Sequence, residues 1–440
     1  MTGSNLNLEQ LKQLMRAAGA TQLYLKWLTA NDNSKQQVYL GKDLAAINVL
    51  PNGPITNDPE NPELLKSPLH FSWLTPTGAL LKARGAQLIL YPQYPEARFS
   101  GFLRGCPGAP NELMRIRQAG RVLFFGITSA GHILGYVAAH DSALAHEIAA
   151  LQLRPDISVF SRIPIEVRTD DRRLLLSELA RIYRLGWIDS KRLDTTGDIL
   201  DCAASNCGGY TLEAELGIRP NGFSKPDFHG WEIKQHTVRR LSNPAGGGPI
   251  TLMTPEPTGG VYVDRGIHEF MQRYGYAARN IVDRWNFGGI HSTVKICAST
   301  KLTLTLDGYD LAENKITDLS KGITLLDPTG ELAAVWHYKE LMNHWTRKHA
   351  LAAYVPSNVR QAPAKQYHYG HLVRLGEGTE FRLFLKAVAS GAVYYDPGIK
   401  IVGAPGTRQL IKKRSQFRIK SSSIPKLYTT MTEVDVTTIG

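Results

Sequence analysis

Residues 226–234 read PDFHGWEIK, and no other stretch constrains the fold as tightly. Side chains on a strand alternate between two faces. Trp231 and Ile233 therefore face a core, while Glu232 and Lys234 share the opposite face, with His236 two residues further on. Asp227 precedes the turn-like His229-Gly230, so a bent strand pair brings its carboxylate beside Glu232 and Lys234. Two carboxylates converging on one point repel unless a cation sits between them. The stretch thus asks for a sheet covered on one face and charged on the other. A solvated hairpin satisfies that as well as a metal site does, because Asp-x4-Glu-x-Lys alone is a weak signal.

Charge bears on the choice. Against 39 Asp and Glu stand 51 Lys and Arg, a net +12 over 440 residues. Such a surplus points to a polyanionic partner, most often nucleic acid, with simple solubility as the alternative. Hydrophobic residues at 43% and charged residues at 20% exclude a disordered chain or a coiled coil. The amphipathic start MTGSNLNLEQLKQLMRAAGA is not a secretory signal. The apolar run 122–139 is broken by TSAGH and reads as two core strands and a turn, so no membrane partner is expected. Cys106, Cys202, Cys207 and Cys297 are too few for a disulfide scaffold. Cys202 and Cys207 could share a metal, but no nearby Cys or His pair completes four ligands; a reducing cytoplasm is the expected location.

The chain changes character near residues 155–172. There RPDISVFSRIPIEVRTDD gives way to a helical pattern with Leu175, Leu179, Ile182 and Leu185 in phase and Gly186 as a stop. This predicts a domain over 1–160, a linker over 161–171 and a second domain over 172–440. The first is mainly β, as a small barrel with one or two packed helices, one of them DSALAHEIAALQL. The second mixes helices (DRGIHEFMQRYGY, ELAAVWHYKELMNHWTRKHALAAY) with strands (STVKICA, KLTLTLDGYD, AVYYDPGIKIVG). The loop NPAGGGP, residues 243–249, is expected to be mobile.

Upstream, GGYTLEAELGIRPNG places Glu213 before Asp227. The residues GYTLE, LGI and PDFHGWEIK together resemble the active-site segment of the MvaI/BcnI family of restriction endonucleases. That family is related to the mismatch-repair nickase MutH, within the PD-(D/E)xK nuclease fold. RWNFGGIH, LTLDGYD, KHALAAYV, residues 369–400 and RSQFRIKSSSIPKLY extend the resemblance over 172–440. It implies an α/β (α+β) PD-(D/E)xK nuclease fold with a mixed central sheet. It also implies Asp227 and Glu232 as Mg²⁺ ligands, Lys234 as the water-orienting base or electrostatic stabiliser, and Glu213 as an acid positioning metal-bound waters. Mg²⁺ suits such a site because it needs only one or two carboxylates beside waters and substrate phosphate. His229 and His236 could touch phosphate or the leaving oxygen, or only hydrogen-bond locally. Lys412, Lys413 and Arg414, with Arg418 beyond, suit phosphate contact, and a solvated face explains the run equally.

In the first domain, LYLKWLTANDNSKQQVYL (23–40) resembles the start of the EcoRII-type effector-binding domain, a B3-like pseudobarrel. In that family two arms enter the major groove. Gln36 and Gln37 fall in the first, roughly where a His-Gln pair is expected. The second spans 97–120, where NELMRIR looks like the base-reading strand. Glu112 can accept from cytosine N4, and Arg115 and Arg117 can bond guanine bidentately. The first arm is shorter than the family's and the second has an extra residue, so bases are not assigned one by one. An unrelated β-barrel adaptor or oligomerisation module is the alternative.

Together the resemblances imply a type II endonuclease, of the IIE kind, cutting both strands of double-stranded DNA at a CCWGG-like site between the second C and W. It would work as a monomer that nicks the strands in turn, stimulated by a second site, beside a cognate cytosine methyltransferase acting on the same site. The rivals are a MutH-like repair nickase and a non-catalytic, sequence-specific DNA-binding regulator.

Overall fold

The computed structural model describes residues 6–32, 37–42, 44, 46–94, 96–128, 130–165, 171–219, 227–349, 351–403 and 409–439. The chain divides into two compact units, Met1–Thr169 and Asp170–Gly440.

In the first unit the run 122–139 forms a hairpin, Arg121–Thr128 with Ile133–Ala138, nearly every residue buried. It is the middle of a six-stranded sheet in the order Ser161–Ile163, Ala20–Leu28, Arg121–Thr128, Ile133–Ala138, Phe71–Leu74, Leu80–Lys82. A five-stranded sheet runs Gln37–Tyr39, Glu96–Ser100, Gln87–Tyr91, Leu65–Pro68, Thr56–Asn57. Aromatic rings join the two sheets: Phe99 lies 5.0 Å from Phe71 and 5.8 Å from Phe125. The fit is tight enough that a Cβ on Gly135 would come within 2.1 Å of the Phe71 ring. Helices Leu8–Ala17 and Ala143–Ala150 cover the six-stranded sheet, seating Leu11, Met15, Leu144 and Ile148 on Leu23, Val122 and Phe124. NELMRIR is not a strand. Residues Asn111–Arg115 form a short helix and the chain extends only from Ile116. Pro110 sits at the helix start, where its missing N–H costs nothing, and the following Glu, Leu, Met and Arg favour a helix.

The second unit is mixed α+β with several sheets. Its central strand, Leu351–Arg360, runs parallel to Glu232–Thr237 and antiparallel to Gln366–Tyr369 and Leu372–Glu377. Trp187–Asp189 and Thr430–Asp435 extend the sheet. Helix Asp171–Arg184 buries Leu175, Leu179 and Ile182 in one cluster with Leu212, Trp231, Ile233, Ala353 and Val355. Emptying one of these positions leaves a cavity the sheet cannot close. Leu179→Ala is therefore expected to cost about 2–5 kcal/mol, read from the denaturant midpoint at constant slope.

Three local expectations are corrected. ELAAVWHYKELMNHWTRKHALAAY is helical only over Tyr338–Lys348; Leu332–His337 and Leu351–Arg360 are strands whose continuous apolar runs are buried on both faces. STVKICA forms no strand, only an isolated Ser292–Lys295 bridge, and Val294 and Ile296 stay 69% and 59% exposed. The glycine loop is pinned: Pro244–Gly246 is a short 3-10 turn, and the Pro244 carbonyl accepts from His236 Nε2 at 2.8 Å and Ser421 Oγ at 2.9 Å.

Candidate active site and its family

The bend that sequence alternation demanded lies at His229-Gly230, with φ of 46° and 84°. Both angles are left-handed, costless for glycine and tolerated by histidine. The Phe228–Trp231 bridge closes the bend and folds Asp227 back along the strand, where its Oδ2 accepts the Ile233 amide at 2.9 Å. Glu232 and Lys234 then stand on the same face, beside Ala352 and Tyr354 of the parallel neighbour. Lys234 Nζ donates to Glu232 Oε1, with Glu232 only 1% exposed. Glu213 arrives from helix Cys207–Glu215, which approaches closely at Gly208, whose carbonyl accepts Tyr369 Oη at 2.8 Å. A Cβ on Gly208 would lie 2.7 Å from the end of the Gln235 side chain and 3.0 Å from the Tyr367 ring, so a larger residue would require Gln235 to move. Glu213, Glu232, Lys234 and His236 line one cavity of about 730 Å³; Asp227 is not on its wall.

The charges are coupled. Burial first, and then Glu232, push the Asp227 carboxyl up to about 7, with Glu213 adding and the Ile233 amide and Lys234 opposing. Burial pulls the Lys234 ammonium down, but Glu232, Asp227 and Glu213 outweigh it, and the net shift is upward. Lys234 thus stays charged and Asp227 resists ionising. Among the described residues, no group of three or more His, Cys, Asp or Glu is placed to hold a metal. The arrangement suits the mode in which one or two carboxylates and water hold a hard cation. Cys202 and Cys207 form a disulfide and are not free as metal ligands.

Of the two roles weighed for His236, the structure shows the local hydrogen bond, to the Pro244 carbonyl at 2.8 Å. The residue is 3% exposed, and burial lowers its imidazole to about 4. Alternation gave its face correctly but not its depth. A folded-state value below the ordinary ~6.5 means that protonation favours unfolding. Stability is complete above pH ~6.5 and is lost as pH falls towards 4, by at most about 3 kcal/mol. His236→Gln, which keeps a donor for Pro244, is expected to flatten that slope in pH-resolved melts. His229 is exposed, its Nδ1 3.5 Å from the Asp171 carboxylate.

The model of the MvaI/BcnI restriction endonuclease family matches residues 176–428, more than half of the chain. The chain belongs to that family. It is a site-specific type II deoxyribonuclease. The restriction endonuclease MvaI–cognate DNA substrate complex is similar over 60% of this chain and 99% of its own, at 18% identity and a TM-score of 0.44. MvaI in the absence of DNA is similar over 61% and 99%, at 17% identity and a TM-score of 0.34. No curated protein matches.

This member of the MvaI/BcnI family carries a second cavity of about 620 Å³, lined by Arg284, Lys400, Lys412, Lys413 and Arg414, with no acidic residue on its wall among the described residues. Register builds it: Lys400 pairs with Asn286 on one side and Lys412 on the other, so one face of three strands is basic. Arg414 lines both cavities. Arg418 is held by Asp396 at 2.6 Å and the Pro249 carbonyl at 3.1 Å. Sequence reading missed Arg284 and Lys400. Alternation within RWNFG and GIKIV places them on polar faces, but only the strand pairing joins those faces.

In the first unit, Gln36 lies outside the described residues. Gln37 opens the strand Gln37–Tyr39, and its Oε1 accepts Arg98 Nη1 at 3.1 Å. Arg98, also missed, bonds Glu96 and lies 5.0 Å over the Tyr91 ring. Glu112, Arg115 and Arg117 are exposed.

No helix is long and apolar enough to cross a membrane among the described residues.

Proposed function

We propose that this chain is a Mg²⁺-dependent type IIE restriction endonuclease of PD-(D/E)xK type, cutting a CCWGG-like site between the second C and W. The observation that carries the proposal is the bend that folds Asp227 back onto the strand carrying Glu232 and Lys234, where Glu232 and Lys234 line one cavity with Glu213. Asp227 and Glu232 would hold the metal, whose charge offsets that developing on the phosphate and lowers the pKa of a bound water. Lys234 remains an ammonium beside Glu232; it orients the attacking water and balances negative charge. Glu213 positions water from the helix side. Lys412, Lys413 and Arg414, with Arg284 and Lys400, bind backbone phosphate, which sets register without reading sequence. His229 lies exposed at the bend, within reach of the same strand.

The first unit is proposed as a B3-like effector domain. Its two sheets of mainly β structure and the exposed Glu112, Arg115 and Arg117 support this, with Gln36 and Gln37 on the other arm. It would bind a second copy of the site and stimulate cleavage. Acting as a monomer, the chain would nick the two strands in turn with its single proposed centre, in a cytoplasm where a cytosine methyltransferase protects the same sequence.

Supercoiled plasmids carrying zero, one or two CCWGG sites, with Mg²⁺, test the reading. Linear product only from site-bearing plasmids, formed faster with two sites, is the expected result. Nicked circles that persist point instead to a repair nickase, and no cutting with binding intact to a regulator. Removing residues 1–169 should abolish the two-site advantage while some cleavage remains; a folded fragment inert on cognate DNA contradicts the modular design.

A further inference from the structure

Arg121 starts the buried hairpin of the first unit and is itself 1% exposed. A guanidinium that deep is costly without an acid bonded to it, and among the described residues none is: each of its three nitrogens donates to a backbone carbonyl. Nε donates to Gln118 at 2.8 Å, Nη1 to Leu113 at 2.6 Å and Nη2 to Thr29 at 3.2 Å. Leu113 and Gln118 lie in the segment that presents Glu112, Arg115 and Arg117. Thr29 is the root of the segment leading to Gln37. One buried side chain therefore ties Thr29 to the segment that presents Glu112, Arg115 and Arg117, distant in sequence.

The second root is closed by a buried pair. Asp32, 4% exposed, accepts from Lys26 Nζ at 2.7 Å, from the Thr29 amide at 2.7 Å and from the Tyr39 amide at 3.1 Å. It thereby joins the start and the end of residues 29–39. Asp32 also faces Arg121 electrostatically, opposing the burial that weakens its charge. Apolar packing would fill this space at lower cost, but it would not fix where three carbonyls point.

We infer that Arg121 is a positioning residue for second-site recognition, fixing the segment 111–118 relative to Thr29 and, through Asp32, to the strand Gln37–Tyr39. The inference rests on the effector reading of the first unit. The full chain is assayed on a one-site plasmid with Mg²⁺ and increasing amounts of a short CCWGG duplex made uncleavable at the scissile phosphate. Stimulation is expressed relative to each preparation's own basal rate, and thermal melts establish folding. In folded Arg121→Gln and Arg121→Lys proteins, the half-maximal duplex concentration should rise by about 10-fold or more, the scale of one bidentate base contact. Its salt dependence should stay that of the wild type, because no phosphate contact is lost. Folded variants whose stimulation curves superimpose on the wild type overturn the inference. Should Arg121→Gln be unfolded at the assay temperature, Arg121→Lys, which keeps the buried charge, decides by the same criterion. A wild type that the duplex does not stimulate overturns the effector reading and the inference together. A wild type whose stimulation is weakened by Arg115→Ala and Arg117→Ala but not by the Arg121 variants overturns only the inference.

Discussion

Asp227→Asn is expected to abolish cleavage and yet to raise the melting temperature of the metal-free protein at pH 8. The carboxyl is pushed up to about 7 by burial and by Glu232, so the folded state holds its proton more tightly than the unfolded chain, where ionisation centres near pH ~4. Stability therefore falls as pH rises from ~4 to ~7, and the whole penalty is present above that. A rise from ~4 to ~7 corresponds to about 4 kcal/mol at most, and partial solvation of the site brings the gain to ~1–3 kcal/mol. Asparagine keeps an oxygen for the Ile233 amide and removes the repulsion. Adding Mg²⁺ should stabilise the wild type and leave Asp227→Asn nearly unmoved. Melts at pH 5 and pH 8, with and without Mg²⁺, check this; a variant less stable than the wild type at pH 8 contradicts the electrostatic account.

Lys234→Ala is expected to be equally silent in cleavage and opposite in stability. Loss of a preorganised positive group at the reacting phosphate costs on the order of 10³-fold in rate. It also leaves Glu232, 1% exposed, without the ammonium that bonds it. Breaking one side of a buried pair costs about 3–5 kcal/mol. Metal-free Lys234→Ala should melt well below the wild type, and Mg²⁺ should restore stability without restoring cleavage. Single-turnover rates beside melts separate the two effects. Two inactive variants displaced in opposite directions are hard to explain by general damage to the fold.

Much of this site was legible because its chemistry follows a two-residue period. Trp231 and Ile233 had to face the core, so Glu232 and Lys234 had to share the other face, and Asp227 could join them only through a bend. The structure has each of these features. His236 exposes the limit of that reasoning: periodicity assigns a face, whereas burial of that face depends on segments far away, here Pro244 and Ser421. The basic face at Lys400 was invisible for the same reason, since its partners Asn286 and Lys412 are set by pairing. NELMRIR looked extended from the family resemblance alone, while its own Pro110 and helix formers argued otherwise. Arg121 precedes the apolar run 122–139 and carries no signal of burial in sequence; three converging carbonyls reveal it.

The most direct test is a strand-resolved, single-turnover time course on a short duplex with one CCWGG site, with enzyme in excess and Mg²⁺ present. Wild type would run beside Asp227→Asn and Lys234→Ala. The account predicts a nicked intermediate that rises and then decays to fully cut product in the wild type, and no product on that timescale from either variant. Cleavage by Lys234→Ala at the wild-type rate would contradict it, because the centre that cuts DNA would then lie somewhere other than the bent strand at Asp227.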